Sequence, residues 1–415
     1  MTLEHGRTLS DEDFEPWFAK AQELSEYFRE IGMKYDAENT FAYPTIPLFK
    51  DSRLGSLIVP PAYGGPGGNI LQLSKVITEM SRGDSAITLA YNMHFITLGI
   101  VMSNMGEVQM KKWLDKINEG SIIFGPWSEQ RAGFSGLADT KAIPQPGGGW
   151  KIYGKKMWGT LGEAADIVVS SATITDADGN IPTDFEERVA AEMMYINDFE
   201  VDENGIGDGV RIEKTWNALG MHATGTHVIV FDGFYVPEEN YVCENRTGLF
   251  SSLEWASLLF ASIYYGMSLR ILEETRATLA KKHLGAVFGA IAASDVKVGQ
   301  VGHIIDGVGD MAVRVEQNRR ILWQTCNDVI DGYDEEWPIE LRVPYIGLAK
   351  TTIASNTTWM AQKAMSMVGG SAFRKGTIFE RFYRDSCAAL YQPLNADQTY
   401  SFIGEYMLQP DELND

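Results

Sequence analysis

The spacing of apolar positions divides the chain into three parts. In the first, Phe14, Trp17, Phe18, Ala21, Leu24, Tyr27 and Phe28 recur at three- and four-residue steps, which predicts an amphipathic helix. Ser10, three residues before Asp13, predicts its start, because a hydroxyl there can accept from a first-turn N–H. Pro44, Pro47, Pro60, Pro61 and Pro66, with the glycines between Gly64 and Gly68, break the pattern into loops. Asn69 then predicts the cap of a helix running to Arg82. A second, mainly apolar helix follows from Ser85 to about Met102, carrying Tyr91, Asn92 and His94.

From Ile122 to about Tyr241 the period changes. WKIYG, DIVVSSATI, AAEMMYI, VRIEKTW and THVIVFDGFYV alternate or run β-branched between Gly, Asp and Asn turns. Short strands with no helix between them predict an antiparallel sandwich or barrel. After Val242 the helical period returns over Leu253–Ala280, Gly299–Gly332 and Leu341–Met367. LLFASIYYGMSL is apolar on every face, which predicts burial in a bundle or against another subunit. The reading is an α+β multidomain chain. It has an N-terminal helical domain over 1–121, a middle β domain over 122–241 and a C-terminal four-helix-bundle domain over 242–415.

Composition narrows the function. A hydrophobic content of 45% supports several cores in 415 residues. A net charge of -21 opposes nucleic acid and anionic membrane surfaces, which need clustered Lys and Arg. Cys243, Cys326 and Cys387 are far apart and odd in number, which suits reduced thiols in a cytoplasm. With no N-terminal apolar segment and no run of eighteen apolar residues, the expectation is a cytoplasmic protein that spans no membrane.

Several motifs fail on inspection. Gly149 to Lys156 nearly matches a P-loop, but it lacks the magnesium-binding Ser or Thr and reads as a strand. Asp202, Asn204, Gly207 and Glu213 mimic an EF-hand, yet Ile206 stands at a ligand position. No Cys/His group has zinc spacing, and no Gly-x-Gly-x-x-Gly follows a strand.

Phe124 to Thr160 carries the chemistry. FGPWSEQRAGFSGL gathers small and hydroxyl residues around Trp127, Ser128 and Glu129. After WKIYG comes Lys156-Met157-Trp158-Gly159-Thr160. An aromatic ring, hydroxyls and free N–H groups at two strand ends suit a flat heterocycle with a polar edge. A buried Trp between two sandwich strands is the plainer alternative.

WSEQRAG and KKMWGT resemble the flavin-contacting segments of the acyl-CoA dehydrogenase superfamily, TEPGAGSD and KxWITN. LGSLIVPPAYGGPGGN, ALGMHATGTHVIVFDGFYVPEENYV and MSMVGGSAFRKGTIFERFYRD resemble further family segments in the same order. The resemblance implies one FAD per subunit, FMN being the lesser alternative, and a homotetramer. It implies that Trp158 covers the flavin, with Trp127 nearby. Thr160 would meet its N5 edge and Ser128 its pyrimidine end. Gly369 and Gly370 would let backbone approach the adenosine portion. Tyr91 and His94 would border the substrate cavity, with Gln392 near the substrate.

The family reaction needs a carboxylate base opposite the flavin. Its usual Glu, nine residues after the Arg of the RD pair, falls here on Pro393. Some members place the base on the first long C-terminal helix, where Glu254 lies near but not on the position and Ser257 replaces the following Arg. Three functions follow from the resemblance. The first is dehydrogenation of an acyl-CoA or other acyl thioester, with Glu254 as displaced base and electron-transfer flavoprotein as a partner. The second is oxygenation with reduced flavin from a separate reductase. The third is a flavin-holding scaffold without catalysis.

Overall fold

A computed structural model describes residues 8–129, 138–184, 187–196, 209–245, 253–283, 297–332 and 339–408. Helix α1 (Asp11–Glu38) starts where its cap predicts: the Ser10 hydroxyl accepts the Asp13 N–H at 3.1 Å. The proline-rich stretch forms short α2 (Thr45–Ser52) and two 3-10 turns. Helix α3 (Ile70–Gly83) opens on a reciprocal capping box between Asn69 and Gln72. Asp84 caps α4 (Ser85–Met102), its carboxylate accepting from the Ala86 and Ile87 amides. Helix α5 (Glu107–Asn118) completes this part.

The middle part is one sheet: β1 (Ile123–Phe124), β2 (Lys141–Pro144), β3 (Trp150–Gly159), β4 (Ile167–Ile174), β5 (Ala190–Ile196), β6 (Val210–Glu213), β7 (His227–Val236) and β8 (Tyr241–Asn245). The order is β6-β7-β3-β2-β4-β5-β8, with β1 beside β4. The sheet is mixed, which corrects the antiparallel expectation. The β2–β3 hairpin is antiparallel, but β4 returns on the far side of β2 and so pairs with it in parallel, as β1 does with β4. Alternation reports that a strand is half-buried; it carries nothing about the direction of the neighbour.

Helices α6 (Leu253–Lys281), α7 (Gly302–Ile330), α8 (Ile339–Val368) and α10 (Ala396–Met407) pack as a bundle, with α9 (Ile378–Ser386) alongside. Helix α6 also lies on α3. A Cβ at Gly266 would meet the Thr78 carbonyl, so only glycine allows this approach. The two helices α4 and α6 are, contrary to expectation, long and apolar enough to cross a membrane, but both are mostly buried inside the protein.

A charge cluster ties the three parts together. The buried Arg381 guanidinium reaches Asp84 at 2.7 Å, Asp385 at 3.1 Å and Asp36 at 3.6 Å. Arg384 binds Asp36 at 2.7 Å. The other oxygen of Asp385 accepts the Met221 N–H at 2.6 Å. Burial opposes the charge on Arg381, and the three carboxylates outweigh it, raising its pKa. This joins α1 and α4 to the loop before β7 and to α9.

Candidate functional site

The site is organised by the end of β3. Between Lys156 and Gly159 this strand spends one residue more than β7, which pairs Lys156 with Ile229 and Gly159 with His227. Such a bulge re-aims side chains. Met157 donates its N–H instead to the Ser128 carbonyl at 2.8 Å, joining the two motifs. Trp158 is turned outward and left 56% exposed, with the edge of Trp216 against it. An indole this open, beside the half-buried Thr160 hydroxyl and the exposed Ser128, fits a flat ring with polar edges.

A buried ion pair holds this strand end from behind. Lys156 and Glu129 are in contact with almost no solvent exposure. Glu129 also accepts from the Asp139 and Thr140 amides and from the Thr140 hydroxyl at 2.7 Å. Burial pulls the Lys156 pKa down, and the Glu129 carboxylate opposes it. Trp127 turns away from the open side. Its indole N–H donates to Glu192 at 3.0 Å and its ring covers Gly125, which reads as packing within the sheet domain. Residues 130–137 of this motif lie outside the described residues.

On the other side of Thr160, hydroxyls form a chain. Thr160 and Thr226 are 2.8 Å apart, and Thr226 and Thr224 are 2.7 Å apart. Thr224 donates to the Met221 carbonyl at 2.9 Å. Nearby, Glu163 receives Tyr43 at 2.9 Å and Lys214 at 3.0 Å, with His227 at 3.6 Å. Burial raises the Glu163 pKa, but these partners prevail and lower it to about 2. Glu163, Lys214 and His227, with Trp216, line a cavity of about 140 Å³.

Tyr91 and His94, expected at the substrate cavity, are fully buried in α4. The Tyr91 hydroxyl meets Thr45 at 2.6 Å, and its ring stacks on Phe49. His94 bonds the Gly55 carbonyl through Nε2 and accepts the Ile123 N–H at Nδ1. Burial lowers its pKa to about 4, so it is neutral. Both ring nitrogens are used in packing, Nδ1 joining α4 to β1 and Nε2 joining it to the 3-10 turn at Gly55.

Gln392 lies in a fixed turn. Tyr264 of α6 donates to its Oε1 at 2.6 Å, and Lys350 of α8 donates to the Ala389 and Gln392 carbonyls at 2.7 and 2.6 Å. Lys350 is 1% exposed, and burial lowers its pKa to about 8. Pro393 follows, so no carboxylate stands at that position. Glu254 occupies the first turn of α6, half-buried, beside a Trp255 ring that packs over Gly99. Gly369 adopts φ +82°, which favours glycine, and Gly370 faces open space, so backbone is accessible there.

Sequence reasoning missed Thr224, Thr226, Tyr264 and Lys350. Thr224 ends a 3-10 turn and Gly225 is left-handed, so the first two meet across a turn that no strand alternation marks. Nothing local marked the last two.

Comparison with known proteins adds a family. Residues 19–121 match "Acyl-CoA dehydrogenase, N-terminal domain" and residues 259–390 match "Acyl-CoA dehydrogenase, C-terminal domain". The chain is 21% identical over 383 residues to the putative acyl-CoA dehydrogenase YdbM of Bacillus subtilis, covering 91% of this chain and 92% of the relative. It is 22% identical over 405 residues to the probable FMNH2-dependent monooxygenase SfnC of Pseudomonas putida, covering 95% of both. Butyryl-CoA dehydrogenase from Megasphaera elsdenii shares the fold, with a TM-score of 0.80 at 18% identity over 97% of this chain and 100% of that one.

Proposed function

Since this chain belongs to the acyl-CoA dehydrogenase family, we propose that it is a flavin-dependent oxidoreductase working as a monooxygenase on reduced flavin. One observation carries this reading. The turn at Gln392-Pro393 has no proton acceptor of carboxylate strength, and Tyr264 and Lys350 fix it in that state. Abstraction of an α-proton needs such a base, whereas oxygenation does not. The full-length similarity to a probable FMNH2-dependent monooxygenase supports the same choice.

Bound flavin would supply the electrons that reduce oxygen. Trp158 would cover its ring, and Thr160 and Ser128 would meet its polar edge. The side chain of Gln392, with Oε1 taken by Tyr264, has its NH2 left to donate to a substrate oxygen. FAD is the proposed form, supported by the accessible backbone at Gly369 and Gly370 for an adenosine portion; FMN is the alternative. A partner reductase would deliver it. We further propose a homotetramer, supported by exposed Ile305 and Val313 on α7 and by Tyr400 and Met407 on α10. Sedimentation as a monomer at micromolar concentration would contradict the assembly.

A second reading is supported by Glu254, a half-buried carboxylate on an otherwise apolar stretch of α6. There the protein would dehydrogenate an acyl thioester with Glu254 as base and pass electrons to an electron-transfer flavoprotein. Anaerobic titration of the flavin-loaded protein with acyl-CoAs of several chain lengths separates the two. The monooxygenase reading expects no bleaching, together with oxygen uptake when a flavin reductase and NADH are added. Bleaching by an acyl-CoA, slowed about a hundredfold or more by Glu254→Gln, would overturn it in favour of the second.

A further inference from the structure

The hydroxyl chain at Thr160 has a fixed direction. It contains three oxygen–oxygen contacts: Thr160 to Thr226 at 2.8 Å, Thr226 to Thr224 at 2.7 Å, and Thr224 to the Met221 carbonyl at 2.9 Å. Each contact needs one proton between its oxygens, and each hydroxyl owns one. The carbonyl has none to give. Thr224 therefore donates to Met221, Thr226 must donate to Thr224, and Thr160 must donate to Thr226. The terminus cannot easily turn round. Met221 is buried, its N–H is held by Asp385 at 2.6 Å, and its carbonyl also accepts the Trp216 indole N–H at 3.0 Å. Thr224 and Thr226 are buried as well, so no bulk water can supply an alternative partner.

The consequence appears at the open end. Thr160 is half-buried, two residues beyond the exposed Trp158. Its only proton points inward, so its oxygen can serve a ligand only as an acceptor. An oxidised flavin has a bare N5 that needs a donor. A reduced flavin carries hydrogen on N5 and needs an acceptor.

We infer that the Thr160–Thr226–Thr224–Met221 chain sets this site to prefer reduced over oxidised flavin. The inference rests on the proposed placement of a flavin against Trp158 and Thr160. Thr224 and Thr226 are positioning residues in it, acting through Thr160. Preference for one redox state also shifts the potential of the bound cofactor, by about 30 mV for each tenfold ratio of affinities in a two-electron couple.

The test measures dissociation constants of the purified full-length protein for FAD and FMN, oxidised in air and reduced under anaerobic conditions, and the midpoint potential of the bound flavin. The wild type is expected to bind the reduced form at least tenfold more tightly. Thr224→Val keeps the shape but removes the acceptor for Thr226, which frees Thr160 to donate outward. The ratio should fall about tenfold, and the potential with it. Thr226→Val should act in the same direction, and Thr224→Ser should restore the wild-type ratio. Circular dichroism of each variant confirms the fold. A wild type with no preference for reduced flavin, or an unchanged ratio in both valine variants, would overturn the inference while leaving a flavin site intact. A protein that binds neither flavin loses the flavin reading and the inference together. Flavin bleaching by acyl-CoA with the ratio preserved removes only the monooxygenase reading.

Discussion

Lys156 on the sheet and Lys350 on α8 are both withdrawn from solvent, yet they are held by different chemistry. Lys156 faces the Glu129 carboxylate, which also gathers two amides and a hydroxyl. Among the described residues, Lys350 has no carboxylate partner and donates to two backbone carbonyls. The first arrangement needs the charge, because removing either partner strands the other in a low dielectric. The second needs N–H donors, and a neutral amine still has two for two carbonyls. One end of the site is therefore anchored by an ion pair, and the other by a lysine that can lose its proton without losing its contacts.

Glu129→Ala tests the first half and carries the largest expected effect. It leaves an ammonium ion buried without a counter-charge, at a cost of about 3–5 kcal/mol in urea unfolding. Flavin affinity should fall too, since Ser128 and Met157 lose their support. Lys156→Met should cost less, because Glu129 keeps its amide and hydroxyl donors. Equal losses in the two variants would mean that the pair acts through something other than the stranded lysine.

Lys350 gives the next effect, read as a pH dependence. Its pKa is about 8 in the folded protein against an ordinary 10.5. Below pH 8 both states are protonated and stability is flat. Between 8 and 10.5 the unfolded chain binds more protons, so stability rises with pH by on the order of 3 kcal/mol, and above 10.5 it is flat again. The wild-type curve minus that of Lys350→Met should show this rise. A difference curve flat from pH 8 to 10.5 would mean the ammonium is stabilised by a charge.

Tyr264→Phe carries the smallest effect. It frees the Gln392 side chain at a cost of about 1 kcal/mol in unfolding free energy and leaves flavin affinity unchanged. A loss of flavin affinity as large as that in Glu129→Ala would erase the distinction between the two ends.

The sequence by itself determined the order of elements and most of their ends. Ser10, Asn69 and the apolar run from Ser85 to Met102 are local signals, and each helix begins where they indicate. It also placed Trp158 and Thr160 at a strand end and Pro393 where a base was sought. Tertiary structure decided the rest. Parallel pairing of β2 with β4 depends on which side of β2 the chain returns, and no residue pattern records that. Tyr91 and His94 read as site residues through the family resemblance of their helix, but their partners Thr45, Gly55 and Ile123 use their polar groups in packing. Trp127 is claimed by Glu192 in the same way. Lys350 and Tyr264 show the converse. They are ordinary helix residues in the sequence and become anchors because folding brings the Ala389–Gln392 turn against them. Local propensity follows from neighbours along the chain, whereas the availability of a polar group depends on partners tens to hundreds of residues away.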